Sequence, residues 1–360
     1  MYQSDEIEER LAAHRSTQGG KPTLKTIAQV SGLAVATVSR ALSDAPDIGS
    51  DTKKIVRQIA DNIGYVPNRA GVRLRTGRTN VISLVLSAEQ NMMNHTARLI
   101  SSLASGLRDT PFHMIITPFF PDQDPMVPVR YVVETRSADA VILNQTLPQD
   151  PRVRYLQAKG FPFATHGRTR LEKPHPYFDF DNVAFGKIAI GRLVERGCRR
   201  VVLIGPPHEH TYGEHLRLGA TQAAQSAGIE VLDMVEITSD SMSDDVLRVM
   251  NKLLTEDALV DGVISASPGA AMAAVAAIES AGRTLGQGIH LVSKEAIPFL
   301  GLFRKEIITI REDVGRAGIF LSKAAIQAIQ SPHDAPLQGL DVPTDNGICP
   351  LYDKTKITGA

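Results

Sequence analysis

The spacing of hydrophobic positions changes character near residue 80. Between residues 21 and 66 apolar residues recur every three or four positions in short runs. Thr23 is placed to cap a helix over LKTIAQV, whose apolar face is Ile27, Ala28 and Val30. Ser31-Gly32 breaks that helix. A second helix over AVATVSRAL turns Val38 and Leu42 inward. SDAPDIGSD reads as a loop, Ser50 as the cap of a third helix, and Ile55, Ile59 and Ile63 as its stripe before Gly64 ends it. Two helices joined by a tight glycine-containing turn have the form of a helix-turn-helix. Many small three-helix domains share this spacing and bind nothing, so the pattern alone leaves both readings open.

From residue 81 the period shortens. VISLVLS, MIITPFF, AVILNQT, PFATHGR, FDFDN, RVVLIGPP, VLDMVEI, DGVISAS and HLVSK are short apolar runs, most of them separated by helical stretches, and IITIRED and LQGLDV follow nearer the C-terminus. Strand–helix alternation of this kind predicts parallel sheets with helices on both faces. About ten strands exceed one small sheet, so two doubly wound subdomains are expected. The predicted organisation is a tail at 1–20, a helical head at 21–66, a linker at 67–80, an α/β body at 81–345 and a tail at 346–360.

Charge sharpens this division. The chain of 360 residues balances 39 Lys+Arg against 39 Asp+Glu, yet residues 21–80 carry ten basic and four acidic residues. Arg69, Arg73, Arg75 and Arg78 fall in the linker, which holds no acid. A basic segment beside an exposed helix attracts phosphate and releases counterions; a solvated linker would show the same composition. No apolar run reaches the length of a membrane span, and the acidic, polar first twenty residues lack a signal-peptide core. The two cysteines, Cys198 and Cys349, support neither a disulfide framework nor a zinc site, and a reducing cytoplasm is the expected location.

TLKTIAQVSGLAVATVSRAL, followed by IGYVPNRAGVRLRTGRTNVISLVL, resembles the head and hinge of LacI/GalR-family bacterial transcriptional repressors. The resemblance continues in order through the DN of FDFDN, RVVLIGPP, and the SAGI and ESAGR helix ends. It implies an α/β fold with an N-terminal helix-turn-helix head and hinge, then two doubly wound parallel-sheet subdomains of periplasmic-binding-protein type. It also implies a sequence-specific repressor of a sugar uptake or catabolism operon. The implied partners are palindromic double-stranded operator DNA, a small sugar effector and a second copy of the chain; no cofactor and no membrane are implied. One head reads few base pairs, so two-fold symmetry on a palindrome supplies the specificity.

By position, the resemblance puts Thr23 and Leu24 at the DNA backbone, Val35 and Ala36 at the start of the recognition helix, and Thr37, Ser39 and Arg40 at bases and phosphates. Val35 and Ala36 can touch only thymine methyls or the groove floor, whereas Arg40 can hydrogen-bond guanine; for Val35 a place in the core is the alternative. Asn68 and Arg69 would open a hinge helix, and Leu74 would wedge into the minor groove and kink the site. Gly71 lies inside that hinge and weakens a helix by about 1 kcal/mol relative to Ala.

Searches for catalytic motifs fail: the chain has no GxGxxG after a strand, no phosphate loop and no GxSxG. His208, Glu209, His210 and His215 cluster but match no metal-binding spacing, and no metal is expected. In two-lobed α/β folds ligands bind beyond the carboxyl ends of the strands. The residues there include Asn91, Asn144, His166, Arg168, Asp181, Tyr212, Ser267 and Glu295, with Glu89, Gln90, Gln145, Asn182, His208, His210 and Lys294 nearby. Together they suit a polyhydroxylated ligand, although each alone reads equally as a cap or a solvated group. The resemblance assigns Asp181 an effector contact, and puts Ser267 and Glu295 where many members carry Asn or Asp. The family's effector arginine falls on Leu216, one place from Arg217, which departs from the pattern. MNHTARLI, ILNQT, GFPFATHGRT and YFDFDN resemble repressors of α-glucoside uptake operons. A sugar-binding or sugar-converting α/β protein with an added head is the competing reading.

Overall fold

A computed structural model describes residues 21–66, 73, 77–88, 93–120 and 122–343. The chain divides into two units at the Thr79–Asn80 junction, described separately below. Among the described residues no helix is long and apolar enough to cross a membrane.

The first unit holds α1 (Leu24–Ser31), α2 (Val35–Leu42) and α3 (Ser50–Asn62). Thr23 begins α1 through a reciprocal capping box: Thr26 N donates to Thr23 Oγ1 and Thr23 N to Thr26 Oγ1. The turn into α2 needs a left-handed residue, and Gly32 supplies it at φ 69°. Ile27, Val30, Val38, Ala41, Val56 and Ile59 make the buried core, with Leu24, Leu42, Ile55 and Ile63 packed against it. The expected cap of α3 is off by one: Gly49 is the N-cap, and Ser50 is already helical. With Gly49 in that place, no side chain caps α3.

The second unit contains two parallel sheets. The first runs β2 (His113–Phe119), β1 (Val81–Ser87), β3 (Ala140–Leu143), β4 (Phe163–His166), β5 (Tyr177–Phe180), β12 (Gln338–Asp341). The second runs β7 (Glu230–Asp233), β6 (Arg200–Ile204), β8 (Gly262–Ser265), β10 (Gly288–Glu295), β11 (Ile308–Arg311), and the two-residue β9 (Thr284–Leu285) pairs with β10. The described residues thus hold twelve strands where about ten were expected; β9 carried too few residues to leave a pattern.

Helices α4 (Met93–Gly106), α5 (Met126–Thr135), α6 (Pro151–Lys159) and α12 (Val314–Gln330) accompany the first sheet. Helices α7 (Asn182–Val194), α8 (Thr211–Ala227), α9 (Ser243–Glu256), α10 (Pro268–Ser280) and the single-turn α11 (Leu300–Phe303) accompany the second. The pattern showed no sign of α6, because PRVRYLQAK is largely polar. Its first turn is built by Asp150 at the N-cap and Pro151 behind it, and the buried Asp150 also pairs with Arg152 at 2.7 Å.

Two close helix pairs rest on small residues. Gly186 of α7 and Gly219 of α8 let the backbones touch: a Cβ at Gly219 would collide with the Val183 carbonyl oxygen. Between α4 and α12, Ser102 Oγ donates to Val314 O and Ser322 Oγ to Leu103 O, both at 3.0 Å. The chain passes from the first sheet to the second between β5 and α7, and returns between β11 and α12. The end of β12 ties both crossings: Asp341 O accepts from Asp181 N at 2.8 Å and Asp341 Oδ2 from Asp313 N at 3.0 Å.

Candidate functional site

Two surfaces carry the expected chemistry. The first is the exposed start of α2. Val38 and Ala41 occupy the core side, so the helix turns Val35, Ala36 and Arg40 outward. Val35 is 41% exposed and stands outside the core cluster, so it does not take the place in the core that was its alternative reading. Thr37 and Ser39 are half-buried beside it. Arg40 pairs with Asp47 in the following loop while its side chain stays 57% exposed. Thr23 is committed to the cap of α1, and Leu24 packs on the core. Asn68, Arg69, Leu74 and Asn91 lie outside the described residues.

The second is a cavity of about 340 Å³ beyond the carboxyl ends of the strands in the second unit. The first sheet supplies Asn144 and Gln145 after β3, His166 at the end of β4, and Asp179 and Phe180 from β5. The second supplies Ser239 and Asp240 beyond β7, Ala266 and Ser267 after β8, and Lys294 and Glu295 at the end of β10. His95 from the first turn of α4, Tyr212 from α8, Met272 from α10, and Asn182 and Glu312 on the two crossings complete the wall. The strands bring these groups together because all of them run in parallel and end at one edge.

Charge concentrates around Glu312, which is buried. Lys294 Nζ stands 2.9 Å from Glu312 Oε2, and His95 Nε2 3.4 Å from Oε1. Burial alone would raise the Glu312 pKa, but Lys294, His95 and His166 outweigh it and hold the carboxyl well below its usual range. Burial, His95 and Lys294 push His166 down to about 3, so its ring is neutral. Asp179 goes the other way: burial raises it to about 7 against the pull of Arg168, and Glu312 adds to the rise. Burial also raises Asp240.

Of the eight expected effector residues, Asn144, His166, Tyr212, Ser267 and Glu295 line the cavity. Several of these side chains have structural ties as well. Ser267 caps α10 and donates to Ser239 O at 2.7 Å. Glu295 Oε2 accepts from Phe299 N and Leu300 N, both at 3.2 Å. Asn144 Oδ1 meets His166 Nδ1 at 3.2 Å. Two others stand off the wall: Asp181 caps α7 by accepting from Ala184 N, and Arg168 pairs with Asp179 at 2.7 Å. The position of the family's arginine is filled by Leu216, which is fully buried. Its neighbour Arg217 reaches Asp233 at 2.7 Å and Pro206 O at 2.8 Å rather than the cavity.

The sequence reading missed His95, Asp179, Ser239, Asp240, Met272 and Glu312. Glu312 directly follows IITIR, so the rule that found the other post-strand residues would have found it. His95 sits on a helix and Asp240 in a long loop, and neither carries a pattern that points to a cavity.

Known proteins share this architecture. The profile for bacterial regulatory proteins, lacI family, matches residues 23–68, and that for a periplasmic binding protein-like domain matches residues 190–346. The HTH-type transcriptional regulator AglR of Rhizobium meliloti (strain 1021) is 30% identical over 323 residues, covering 88% of this chain and 90% of that protein. The chain belongs to the lacI family of bacterial regulatory proteins. A second lacI-type relative, the HTH-type transcriptional regulator RafR of Escherichia coli, is 29% identical over 82% of this chain and 89% of its own. As a member of this family the chain is a transcription regulator and not an enzyme. The lac repressor dimer bound to operator and the anti-inducer ONPF shares the fold at a TM-score of 0.76 and 17% identity, over 90% of this chain and 97% of that one. The CelR–cellobiose complex shares it at 0.64 and 22% identity, over 90% and 98%.

Proposed function

We propose that this regulator represses a sugar uptake or catabolism operon in the bacterial cytoplasm. It binds a palindromic operator as a homodimer and answers to a small α-glucoside in the cavity of its second unit. The observation that carries this reading is the cavity wall, where carboxylates, amides and imidazoles converge beside the apolar faces of Phe180, Tyr212 and Met272. Polar groups that accept and donate in pairs suit vicinal hydroxyls, and an apolar face suits the C–H side of a pyranose. The structurally similar CelR is a complex with cellobiose, which supports a ligand of disaccharide size here. The α-glucoside assignment rests on the resemblance of ILNQT, GFPFATHGRT and YFDFDN.

In the head, Val35 and Ala36 meet base edges, Arg40 meets guanine or phosphate, and Thr37 and Ser39 support them. The hinge residues Asn68, Arg69 and Leu74 complete the proposed contact. The dimer is supported by exposed apolar side chains at the edge of the first sheet: Ile115 and Ile116, on opposite sides of the edge strand β2, with Phe120 and with Val127 and Tyr131 of α5. Calorimetry with maltose, sucrose and trehalose, together with selection of binding sites from random duplex DNA, tests the reading. Binding of one sugar and recovery of a palindrome support it. Absence of heat from every α-glucoside removes the sugar assignment, and failure to select any duplex removes the operator assignment.

A further inference from the structure

The geometry points to a divalent transition-metal site, of the zinc class, formed by His95, His166 and Glu312 in the wall of the cavity. The three candidate ligand atoms lie within 4.8 Å of one another. His95 Nε2 is 3.4 Å from Glu312 Oε1, and His166 Nε2 is 4.0 Å from the same oxygen. Ligand atoms about 2.1 Å from a tetrahedral ion stand roughly 3.4 Å apart, so the His95–Glu312 edge already fits, the His166–Glu312 edge has to close from 4.0 Å, and the edge between the two imidazoles closes from within 4.8 Å by turns of the side chains.

The proton on His166 is placed by its neighbour. An amide oxygen only accepts, and Asn144 Oδ1 lies 3.2 Å from His166 Nδ1. Nδ1 therefore carries the hydrogen, and Nε2 turns its lone pair toward His95 and Glu312. This is the arrangement in which a second neighbour fixes the tautomer of a ligating imidazole. The rings of His95 and His166 lie 5.2 Å apart at 24°, so both can offer an edge to one point. Glu312 has one oxygen on Lys294 and leaves Oε1 to the cluster. Lys294 offsets the carboxylate charge and limits the affinity, while the two imidazoles supply borderline-soft nitrogen donors that zinc favours over magnesium or calcium. Two nitrogens and one oxygen leave at least one position open toward the cavity, where water or a ligand hydroxyl completes the shell. The cluster is separate from His208, Glu209, His210 and His215, the histidine-rich stretch that stands out in the sequence.

Zinc alone, added to the full-length chain without sugar or DNA, tests the site independently of the effector assignment. Equilibrium dialysis is expected to show one saturable ion per chain at micromolar free zinc. His95→Ala and His166→Ala should each weaken binding at least tenfold, Asn144→Ala by about 10–100-fold through the lost orientation of His166, and the exposed His208→Ala not at all. Cobalt(II) should give visible bands that disappear in His95→Ala. Circular dichroism and melting identify any variant that fails to fold, and His95→Ala, at a half-exposed ring, keeps the test available if His166→Ala does. Absence of saturable binding by the wild-type chain overturns the proposal, as does equal binding by wild type and a folded His95→Ala.

Discussion

Lys294 Nζ bridges the two crossings between the sheets: it stands 2.9 Å from Glu312 Oε2 on the return crossing and 3.4 Å from Asn182 Oδ1 on the outward one. Its ammonium also lies 5.1 Å from the centre of the Phe180 ring. One cation thus reads both crossings and faces the cavity between them. A ligand whose affinity depends on that arrangement shifts the population of lobe positions, and only by its differential affinity for them.

Asp179 makes stability depend on pH in an unusual direction for a carboxylate. Its pKa is about 7 in the fold, above its ordinary value of 3.8, because it is buried. The folded chain holds this proton more tightly than the unfolded chain. The stabilisation is full below about pH 4 and lost as pH rises to about 7. Asp179→Asn keeps the neutral shape at every pH, so its stability relative to wild type should improve by on the order of 2 kcal/mol between about pH 5.5 and 8. Urea titrations at both pH values measure this; a constant difference means that Asp179 does not titrate in that range.

Gly219→Ala should destabilise the second unit. The added methyl would overlap the Val183 carbonyl oxygen, and backbone cannot swing aside as a flexible side chain can. Forcing α7 and α8 apart should cost about 1–3 kcal/mol. Gly191→Ala, where a Cβ meets nothing within 4 Å, serves as the control in the same thermal melts.

Arg40→Ala should weaken operator binding by about 1–3 kcal/mol and leave sugar binding unchanged, because the side chain is exposed and stands in the other unit. Fluorescence anisotropy on labelled operator, paired with calorimetry, reads both quantities. Equal losses in both would show that the substitution acts by unfolding the chain.

Ile116→Asp or Tyr131→Asp should yield monomers. Each places a charge among the exposed apolar side chains at this edge of the first sheet, where the proposed dimer contact lies. Light scattering at micromolar concentration decides the matter, and unchanged dimers would move the interface elsewhere on the second unit.

The particular residues show why some features were legible and others were not. Thr23, Ser31-Gly32, Val38 and the isoleucine stripe of α3 define the head locally: caps, turns and faces are settled within one or two turns of helix, and they read directly from the chain. The central strands of the body, such as β1, β3, β6 and β8, read equally well, because strands buried on both faces are continuous apolar runs. Polar α6, capped through Asp150, and the one-residue shift at the cap of α3 escaped the pattern, since hydrophobic spacing carries no information about either.

By itself the sequence determined the division into a basic helical head and an α/β body, the kind of fold in each, and the strand ends at which a site would gather. Only the tertiary structure decided which side chains at those ends face the cavity. Asp181 and Arg168 sit in the expected places along the chain, but one accepts from the Ala184 amide in the first turn of α7 and the other pairs with the buried Asp179 carboxyl. His95 and Glu312 are 217 residues apart and meet at 3.4 Å. The spacing of residues along a chain reports periodicity within an element, whereas contact across elements depends on sheet order, crossings and the competition of each polar group for partners, which folding alone resolves.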